Sequence, residues 1–266
     1  MRLEIKIDCL ELKKTLFCGQ CFRFIEREDG IFCGVVGKRY AELEQLADGV
    51  AVLNANEGDE AFWNEYFDSE LDYSLLFEEF STDETLRLAT KEKGIRVLRQ
   101  EPFETLISFI ISQNNNIKRI SGIIGRLCEE FGTKIGDGVY AFPTQEQLKG
   151  VTEADLSPLR AGFRAKYIVD AVNKVTSGEI NLEGLFALST DEAREELKKI
   201  KGVGNKVADC VLLFAFHKTE CIPMDVWMKR VMSAYYPDGL PQNLVKYGGI
   251  AQQYLFDFAR KNKLLV

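Results

Sequence analysis

The sequence predicts an α+β fold, in which a small N-terminal antiparallel β-sheet domain is followed by an all-helical body. Its first half-hundred residues favour strands, whereas from about Asn54 onwards the apolar residues recur at helical spacing. No internal repeat and no flexible linker interrupts the 266 residues, of which 46% are hydrophobic, enough to bury a core. We therefore divide the chain into a sheet domain with helices over residues 1–98 and a helical body over residues 99–266.

The N-terminal strands are predicted from two short runs. Residues 3–7 alternate apolar and polar side chains, and residues 31–36 form a second, mostly apolar run. Glu28, Asp29 and Gly30 form a turn signal directly before that second run. Together these features predict an antiparallel sheet.

Helical spacing of apolar residues marks the rest of the chain. Pro102 suits the first turn of a helix, because the missing N–H of proline needs no partner there. The apolar sets that predict helices are Phe62, Tyr66 and Phe67; Tyr73, Leu76, Phe77 and Phe80; Phe103, Leu106, Ile107, Ile110 and Ile111; Ile120, Ile123, Ile124 and Leu127; and Tyr167, Val169 and Val172.

Composition argues against several protein classes. No apolar run approaches the about 18 residues needed to span a membrane, and residues 1–10 alternate where a secretory signal would be apolar. Seven cysteines are an odd number, which suits reduced thiols in a cytoplasm. Cys18 and Cys21 have the spacing of half a zinc site, but no second pair follows and Cys33 has no nearby histidine. We expect a soluble, cytoplasmic protein without a bound metal.

The acidic charge is concentrated in one segment. A net charge of −7 argues at first against a nucleic-acid partner. Residues 41–86, however, contain 14 Asp and Glu and no Lys or Arg, so the rest of the chain carries a net +7. We interpret that segment as a solvated acidic face, which leaves a basic groove possible elsewhere.

Two helices that flank a tight hairpin are predicted at about residues 190–216. Ser189 and Glu192 form a capping box, and residues 201–204 end the first helix. Gly202 and Gly204 permit positive φ and close approach of a partner, while the next helix presents free N–H groups and its positive dipole end. Such a terminus binds phosphate, although a lone Gly-x-Gly is better explained by the glycine caps of an ordinary helix turn. The full pattern, with Val203 between the glycines and Ala208 four residues beyond the second, resembles a helix-hairpin-helix motif and indicates DNA binding.

Lys206 and Asp225 are the candidate catalytic residues. Lys206 lies in the first turn of the second hairpin helix, where the dipole disfavours a cation. Together with the apolar wall of Val207, Cys210 and Val211, this position favours a neutral, nucleophilic amine. A solvated lysine that contacts a phosphate fits the position equally well. Asp225 precedes an apolar helical run and is expected to be its N-cap, a role compatible with stabilising positive charge at a sugar carbon.

Five segments, in order, resemble the 8-oxoguanine DNA glycosylase branch of the helix-hairpin-helix DNA glycosylase superfamily. They are residues 19–23 (GQCFR), 112–120 (SQNNNIKRI), 202–210 (GVGNKVADC), 223–226 (PMDV) and 251–256 (AQQYLF). The resemblance covers nearly the whole chain. It implies a bifunctional enzyme that flips 8-oxoguanine out of duplex DNA, cleaves its glycosidic bond and nicks the strand by β-elimination.

The resemblance also implies a role for each matched residue. Lys206 would attack the sugar C1′ and form a Schiff base, and Asp225 would stabilise the developing charge. Gly19 would accept the N7 hydrogen that only the oxidised base carries, and Gln252 would recognise the base's pairing edge. The remaining base-pocket residues are Cys210 and Phe256 on the two sides of a stacking slot, with Phe214 and Pro223. The DNA-binding residues are Asn114 in the gap left by the base, Arg119 and Arg164 on the orphaned cytosine, Phe163 as an aromatic wedge, and Gly202, Val203 and Gly204 in the hairpin.

Three residues depart from the family pattern. Phe163 replaces the usual tyrosine, Trp227 stands where a phosphate-contacting histidine is usual, and Phe214 replaces a methionine, so backbone contacts and opposite-base preference stay open. His217, the single histidine, is expected to be solvated and not catalytic.

The predicted partner is double-stranded DNA that contains 8-oxoguanine opposite cytosine, bound by a monomer without a cofactor or membrane. No cysteine after Cys221 could supply an iron–sulfur cluster. In a prokaryote the protein would be associated with the nucleoid, and in a eukaryote it would be nuclear. Two alternatives stay open: a monofunctional glycosylase for another damaged base, acting through a water activated by Asp225, and a non-enzymatic DNA-binding module.

Overall fold

An antiparallel sheet forms the N-terminal end of the molecule. In the computed structural model, which describes residues 2–47, 49–54 and 58–262, this sheet has five strands. They are β1 (Arg2–Lys6), β2 (Phe24–Glu26), β3 (Phe32–Val36), β4 (Arg39–Ala47) and β5 (Val50–Asn54). Their spatial order is β1, β5, β4, β3, β2, so the first strand pairs with the last. The predicted sheet is confirmed, and both predicted strands agree with the structure to within one residue.

The sheet register places apolar side chains in rows on one face. Leu43 of β4 pairs with Phe32 of β3 on one side and with Leu53 of β5 on the other, and all three are buried. The predicted turn joins β2 to β3, with Gly30 at a φ of +81°. Such a φ is unfavourable for residues with a Cβ atom, which explains the glycine.

Helices make up most of the rest of the chain. Within the described residues they are α1 (Leu12–Phe17), α2 (Glu60–Tyr66), α3 (Tyr73–Phe80), α4 (Glu84–Ala89), α5 (Pro102–Ser112), α6 (Ile117–Phe131), α7 (Ala165–Thr176), α8 (Thr190–Lys198), α9 (Asn205–Phe214), α10 (Val226–Tyr235) and α11 (Gly248–Lys261). The predicted helical body is confirmed with one addition: β6 (Lys134–Gly136) and β7 (Val139–Tyr140) form a small antiparallel ribbon after α6.

Helix α5 is the central element of the body. Its first residue is Pro102, as predicted, and the carboxylate of Glu101 caps it by accepting from the backbone N–H groups of Phe103 and Glu104. It packs against α6, α7 and α9, so that eight of its 11 residues are buried. Both the loop after α5 and its inner face reach the candidate site described below.

The buried apolar residues form two clusters. The smaller lies under the sheet and includes Trp63 and Phe67, and the larger fills the helical body. Tyr73 and Phe80 of α3, together with Leu86 of α4, belong to the larger cluster. Packing therefore joins α3 and α4 to the helical body, although they precede residue 98 in the sequence.

The described residues contain neither a candidate membrane span nor a candidate metal site. None of their helices combines the length and apolar character required to cross a bilayer. Nor does any group of three or more His, Cys, Asp or Glu among them have a metal-binding arrangement. All seven cysteines are free thiols, and burial raises the pKa of the Cys18 thiol to about 12.

Candidate active site

The predicted hairpin connects α8 to α9. The capping box at its start is present, since the Ser189 hydroxyl and the Glu192 side chain each bond the other's backbone N–H. Gly202 has a φ of +82°, as predicted. Gly204 differs, because it is the N-cap of α9 with a φ of −102°, a value open to any residue. Helix α9 ends at Phe214, two residues before the predicted end of the motif.

The two glycines serve different purposes. A Cβ atom on Gly202 would lie 2.5 Å from the ring of Tyr167, so packing as well as φ requires glycine there. A Cβ atom on Gly204 would meet nothing within 4 Å. The backbone at Gly204 therefore faces open space, next to the unpaired N–H groups of the first turn of α9. This combination provides a surface on which a phosphate can approach the backbone closely.

Lys206 lies in that first turn and is half-buried. Its Nζ atom lies 5.3 Å from the centre of the Phe109 ring on α5, within the range of a cation–π contact. The thiol of Cys210 lies one turn further along α9, near enough for the charge of Lys206 to act on it. Burial raises the pKa of that thiol to about 11, while the neighbouring Lys206 acts in the opposite direction. Cys210 is therefore a protonated, apolar wall beside the amine.

Asp225 caps α10 as predicted, since its Oδ1 accepts from the backbone N–H of Met228 at 2.7 Å. The negative charges of Asp209 and Asp225 both contribute to the raised pKa of Cys210, which places the Asp225 carboxylate within electrostatic reach of the pocket. A carboxylate fixed in this way can stabilise positive charge without reorganising.

Phe109 is a residue that the sequence analysis missed. Its ring stacks on Phe214 of α9 at a centroid distance of 5.4 Å and an interplanar angle of 14°, and it meets Phe22 edge to face at 5.7 Å. Phe109 thus connects Lys206, the C-terminal end of α9 and the segment that follows Gly19. The apolar set predicted for α5 leaves Phe109 out, and nothing in the sequence signals its contact with Lys206.

Gly19 lies in the loop after α1 with a φ of +97°. A Cβ atom there would meet nothing within 4 Å, so the residue borders open space. The next residue, Gln20, is completely buried and hydrogen-bonded through its side chain. The loop therefore has a fixed conformation with an accessible backbone, which suits recognition through a carbonyl group.

The other predicted pocket residues come from α11 and from the segment before α10. Gln252 is 6% exposed, and its Oε1 accepts from Nε2 of the adjacent Gln253 at 2.7 Å. Phe256, one turn later on α11, is partly buried against the larger core. Pro223 is buried two residues before Asp225.

The predicted DNA-binding residues outside the hairpin converge on a second surface. Arg164 is 2% exposed and donates to the backbone carbonyls of Gln113 and Asn114, so it holds the loop between α5 and α6. Asn114, with a φ of +47°, is exposed at the tip of that loop. Phe163 is 47% exposed, and the guanidinium of Arg164 lies 4.4 Å from its ring centre.

Arg119 completes this surface at the start of α6. It is exposed, and its Nη2 donates to the carbonyl of Arg160 at 3.3 Å. The structure thus brings Asn114, Arg119, Phe163 and Arg164 together, and Tyr167 connects them to the hairpin by meeting Phe163 edge to face at 5.9 Å. Trp227 stands apart on α10, 41% exposed and 5.0 Å from the guanidinium of Arg230.

The prediction that His217 is solvated was wrong. Its side chain is only 17% exposed, and its Nε2 lies 3.2 Å from Oδ2 of Asp68, a carboxylate with no solvent exposure. Asp68 also accepts from Nε of Arg99 at 2.8 Å. The acidic segment at residues 41–86 is therefore not solvated throughout, since one of its carboxylates joins a buried ion-pair cluster.

Comparison with known proteins places this geometry among DNA repair enzymes. Residues 2–106 match the model of the 8-oxoguanine DNA glycosylase N-terminal domain, and residues 107–239 match that of the HhH-GPD superfamily of base excision DNA repair proteins. The chain is 36% identical to the N-glycosylase/DNA lyase of Saccharomyces cerevisiae, covering 92% of this chain and 73% of that protein. It is 31% identical to a probable N-glycosylase/DNA lyase of Methanothermobacter thermautotrophicus, over 99% and 97%.

A solved structure shows the same fold bound to DNA. The 8-oxoguanine glycosylase/lyase of Clostridium acetobutylicum, in complex with double-stranded DNA containing cytosine opposite 8-oxoG, superimposes with a TM-score of 0.89. The two chains are 40% identical, and the match covers 99% of this chain and 98% of that one.

Proposed function

Because this chain belongs to the 8-oxoguanine DNA glycosylase family of the HhH-GPD superfamily, we propose that Lys206 is the nucleophile of its reaction. The protein is an N-glycosylase and DNA lyase that acts on 8-oxoguanine in DNA. The observation that carries the assignment to Lys206 is its position: a half-buried amine at the N-terminus of α9, enclosed by Phe109 and Cys210.

The reaction follows from that position. The unprotonated amine of Lys206 attacks C1′ as the bond from C1′ to N9 of the base breaks, and the departing base takes up a proton. Asp225 stabilises the positive charge that develops on the sugar. The bond from C1′ to O4′ then breaks, O4′ takes up the proton that the lysine nitrogen has released, and a Schiff base between C1′ and Lys206 remains. Loss of a proton from C2′ expels the 3′ phosphate, which nicks the strand.

Recognition of the oxidised base rests on Gly19. Its carbonyl accepts the N7 hydrogen that guanine lacks, so discrimination depends on one hydrogen bond. Cys210 and Phe256 flank the flipped base, with Phe214 and Pro223 completing the pocket. Gln252 contacts the pairing edge of the base.

The second surface holds the opposite strand. Phe163 enters the stack as a wedge, Asn114 fills the gap, and Arg119 donates to the unpaired cytosine. Arg164 already donates to the carbonyls of Gln113, Asn114 and Ala161, so it can reach the cytosine only with its one remaining N–H. Gly202, Val203 and Gly204 bind the phosphate backbone, and the enzyme works as a monomer.

Borohydride trapping tests the proposal. Duplexes with 8-oxoguanine or guanine opposite cytosine are incubated with the wild-type protein, with Lys206→Gln and with Lys149→Gln, at one fixed salt concentration because DNA affinity depends on salt. Lys149 is an exposed lysine of the loop after the β6–β7 ribbon and serves as the matched control. We expect a covalent adduct on the oxidised duplex with the wild type and Lys149→Gln, and none with Lys206→Gln.

Other outcomes would redirect the assignment. Base release that persists in Lys206→Gln without any adduct would indicate a water activated by Asp225. Absence of release from the oxidised duplex by the wild-type protein would contradict the proposed substrate itself.

A further inference from the structure

The loop that carries Gly19 is fixed by the side chain of the next residue. Gln20 has no solvent exposure, and its Nε2 donates to the carbonyls of Thr15 and Arg96, both at 2.8 Å. Its Oε1 accepts from the backbone N–H of Leu98 at 2.9 Å. Both amide hydrogens of Gln20 are therefore used. Since the Gly19 carbonyl belongs to the peptide that joins Gly19 to Gln20, these bonds restrict its orientation as well.

Gln100 connects this loop to the helix of the nucleophile. Its side-chain Nε2 donates to the backbone carbonyl of Gln20 at 2.8 Å. Its backbone N–H donates to the carbonyl of Phe214 at 2.8 Å. Phe214 is the last residue of α9, where carbonyls lack partners within the helix. One residue thus bonds the recognition loop with its side chain and the catalytic helix with its main chain.

This bridge joins the two segments that carry the proposed recognition carbonyl and the proposed nucleophile. Lys206 lies at one end of α9 and Phe214 at the other. If the ten-residue helix moves as one rigid body, a shift of Phe214 also shifts Lys206. The distance between the Gly19 carbonyl and α9 therefore depends on the bond from Gln100 to Gln20. A hydrogen bond weakens steeply with poor geometry, so a small displacement of the carbonyl would reduce its ability to select the N7 hydrogen.

We propose that Gln100 is a positioning residue that sets the Gly19 carbonyl relative to α9 and thereby determines selection of the oxidised base. The inference rests on the proposed roles of Gly19 and Lys206. Gln100 does not contact the base or the sugar in this scheme. Its effect should appear in the step that requires base recognition and not in the step that requires only the lysine.

The two activities of the enzyme provide the test. Release of 8-oxoguanine needs both Gly19 and Lys206, whereas β-elimination at a preformed abasic site needs Lys206 but no base. Gln100→Met keeps the side-chain volume and the backbone bond to Phe214 but removes the donor to Gln20. In single-turnover assays we expect base release to slow by about 10-fold, because a buried carbonyl loses its partner. The rate at the abasic site should stay within about 2-fold.

The controls separate positioning from loss of folding. Gln147→Met makes the same chemical change in an exposed loop, and both rates should stay at the wild-type values. The ratio of the two rates does not depend on the fraction of folded enzyme, so it is informative even where Gln100→Met is less stable. Gln100→Asn, which retracts the amide by one methylene group, should lower the ratio in the same direction.

An unchanged ratio in Gln100→Met, or an equal loss of both activities, would overturn the proposal. Failure of the wild-type protein to release 8-oxoguanine would instead contradict the proposed function on which the inference rests. The wild-type rates are measured first, so the two failures are distinguished.

Discussion

The ring of Tyr167 on α7 lies directly against the backbone of Gly202 in the hairpin, with its Cδ2 atom 2.5 Å from where a Cβ atom would be. The same ring meets Phe163 edge to face. Tyr167 therefore fixes the hairpin relative to the surface that carries Phe163 and Arg164. One ring therefore joins the residues proposed to bind phosphate to the residue proposed to act as the wedge.

Gly202→Ala should destabilise the fold. The added methyl would collide with Tyr167, and φ at +82° is unfavourable for alanine. Strain and overpacking together are expected to lower the free energy of unfolding by about 3 kcal/mol. Urea denaturation measures this change, and a loss below about 1 kcal/mol would show that the ring moves aside without penalty.

Gly204→Ala should leave stability nearly unchanged but weaken DNA binding. Its φ of −102° suits alanine and its Cβ atom would project into open space, so stability should change by no more than about 0.5 kcal/mol. The methyl would, however, stand where the proposed function brings a phosphate close to the backbone. Duplex affinity, measured by fluorescence anisotropy at fixed salt, should fall by about 10-fold. Unchanged affinity would place the phosphate elsewhere.

Glu104 should make stability depend on pH. Burial raises the pKa of this carboxyl to about 7, and the neighbouring Arg23, 3.4 Å away, offsets burial only in part. Between its ordinary value of 4.5 and about 7, the folded protein retains a proton that the unfolded chain has lost. Protonated Glu104 therefore makes its full contribution to the stability of the folded protein below pH 4.5. As the pH rises to 7 this contribution is lost, and the free energy of unfolding falls by at most about 3 kcal/mol.

The variant Glu104→Gln tests that pH dependence. An amide cannot ionise, and its oxygen can still accept from Arg23, which also donates to the carbonyl of Tyr140. The free energy of unfolding should decline less steeply from pH 5 to pH 8 in the variant than in the wild type. Parallel curves would mean that Glu104 does not titrate in this range.

His217→Asn should weaken the buried cluster around Asp68. Asparagine tolerates the left-handed backbone, here a φ of +52°, so the substitution removes the imidazole without adding strain. Because the buried carboxylate loses a partner, we expect a loss of about 1–2 kcal/mol in urea denaturation. In a double-mutant cycle with Asp68→Asn the losses should not add, and strict additivity would show that the two side chains do not interact.

Features with local causes were predictable from the sequence. The capping box at Ser189 and Glu192, the N-cap at Asp225 and the proline at the start of α5 each depend on residues within one helical turn. Helix α1, with six residues, is too short for its periodicity to be recognised, and the β6–β7 ribbon is shorter still.

Contacts between distant segments were not predictable. No residue near His217 in the sequence indicates that it contacts Asp68, so the burial of His217 was not predicted. Likewise, the predicted apolar set of α5 did not include Phe109, and no signal in the sequence indicates that Lys206 lies over its ring. The bridge through Gln100 depends on the meeting of three segments, and a single glutamine carries no signal for that arrangement.

The hydrogen bonds from Arg164 to the carbonyls of Gln113 and Asn114 have a thermodynamic consequence. It holds the tip of the loop, including the left-handed backbone of Asn114, in one conformation in the free protein. The conformational entropy of those residues is therefore lost when the chain folds and not when a duplex arrives. In the proposed complex, more of the contact energy at this loop is then available for distorting DNA, because ordering the protein no longer consumes it.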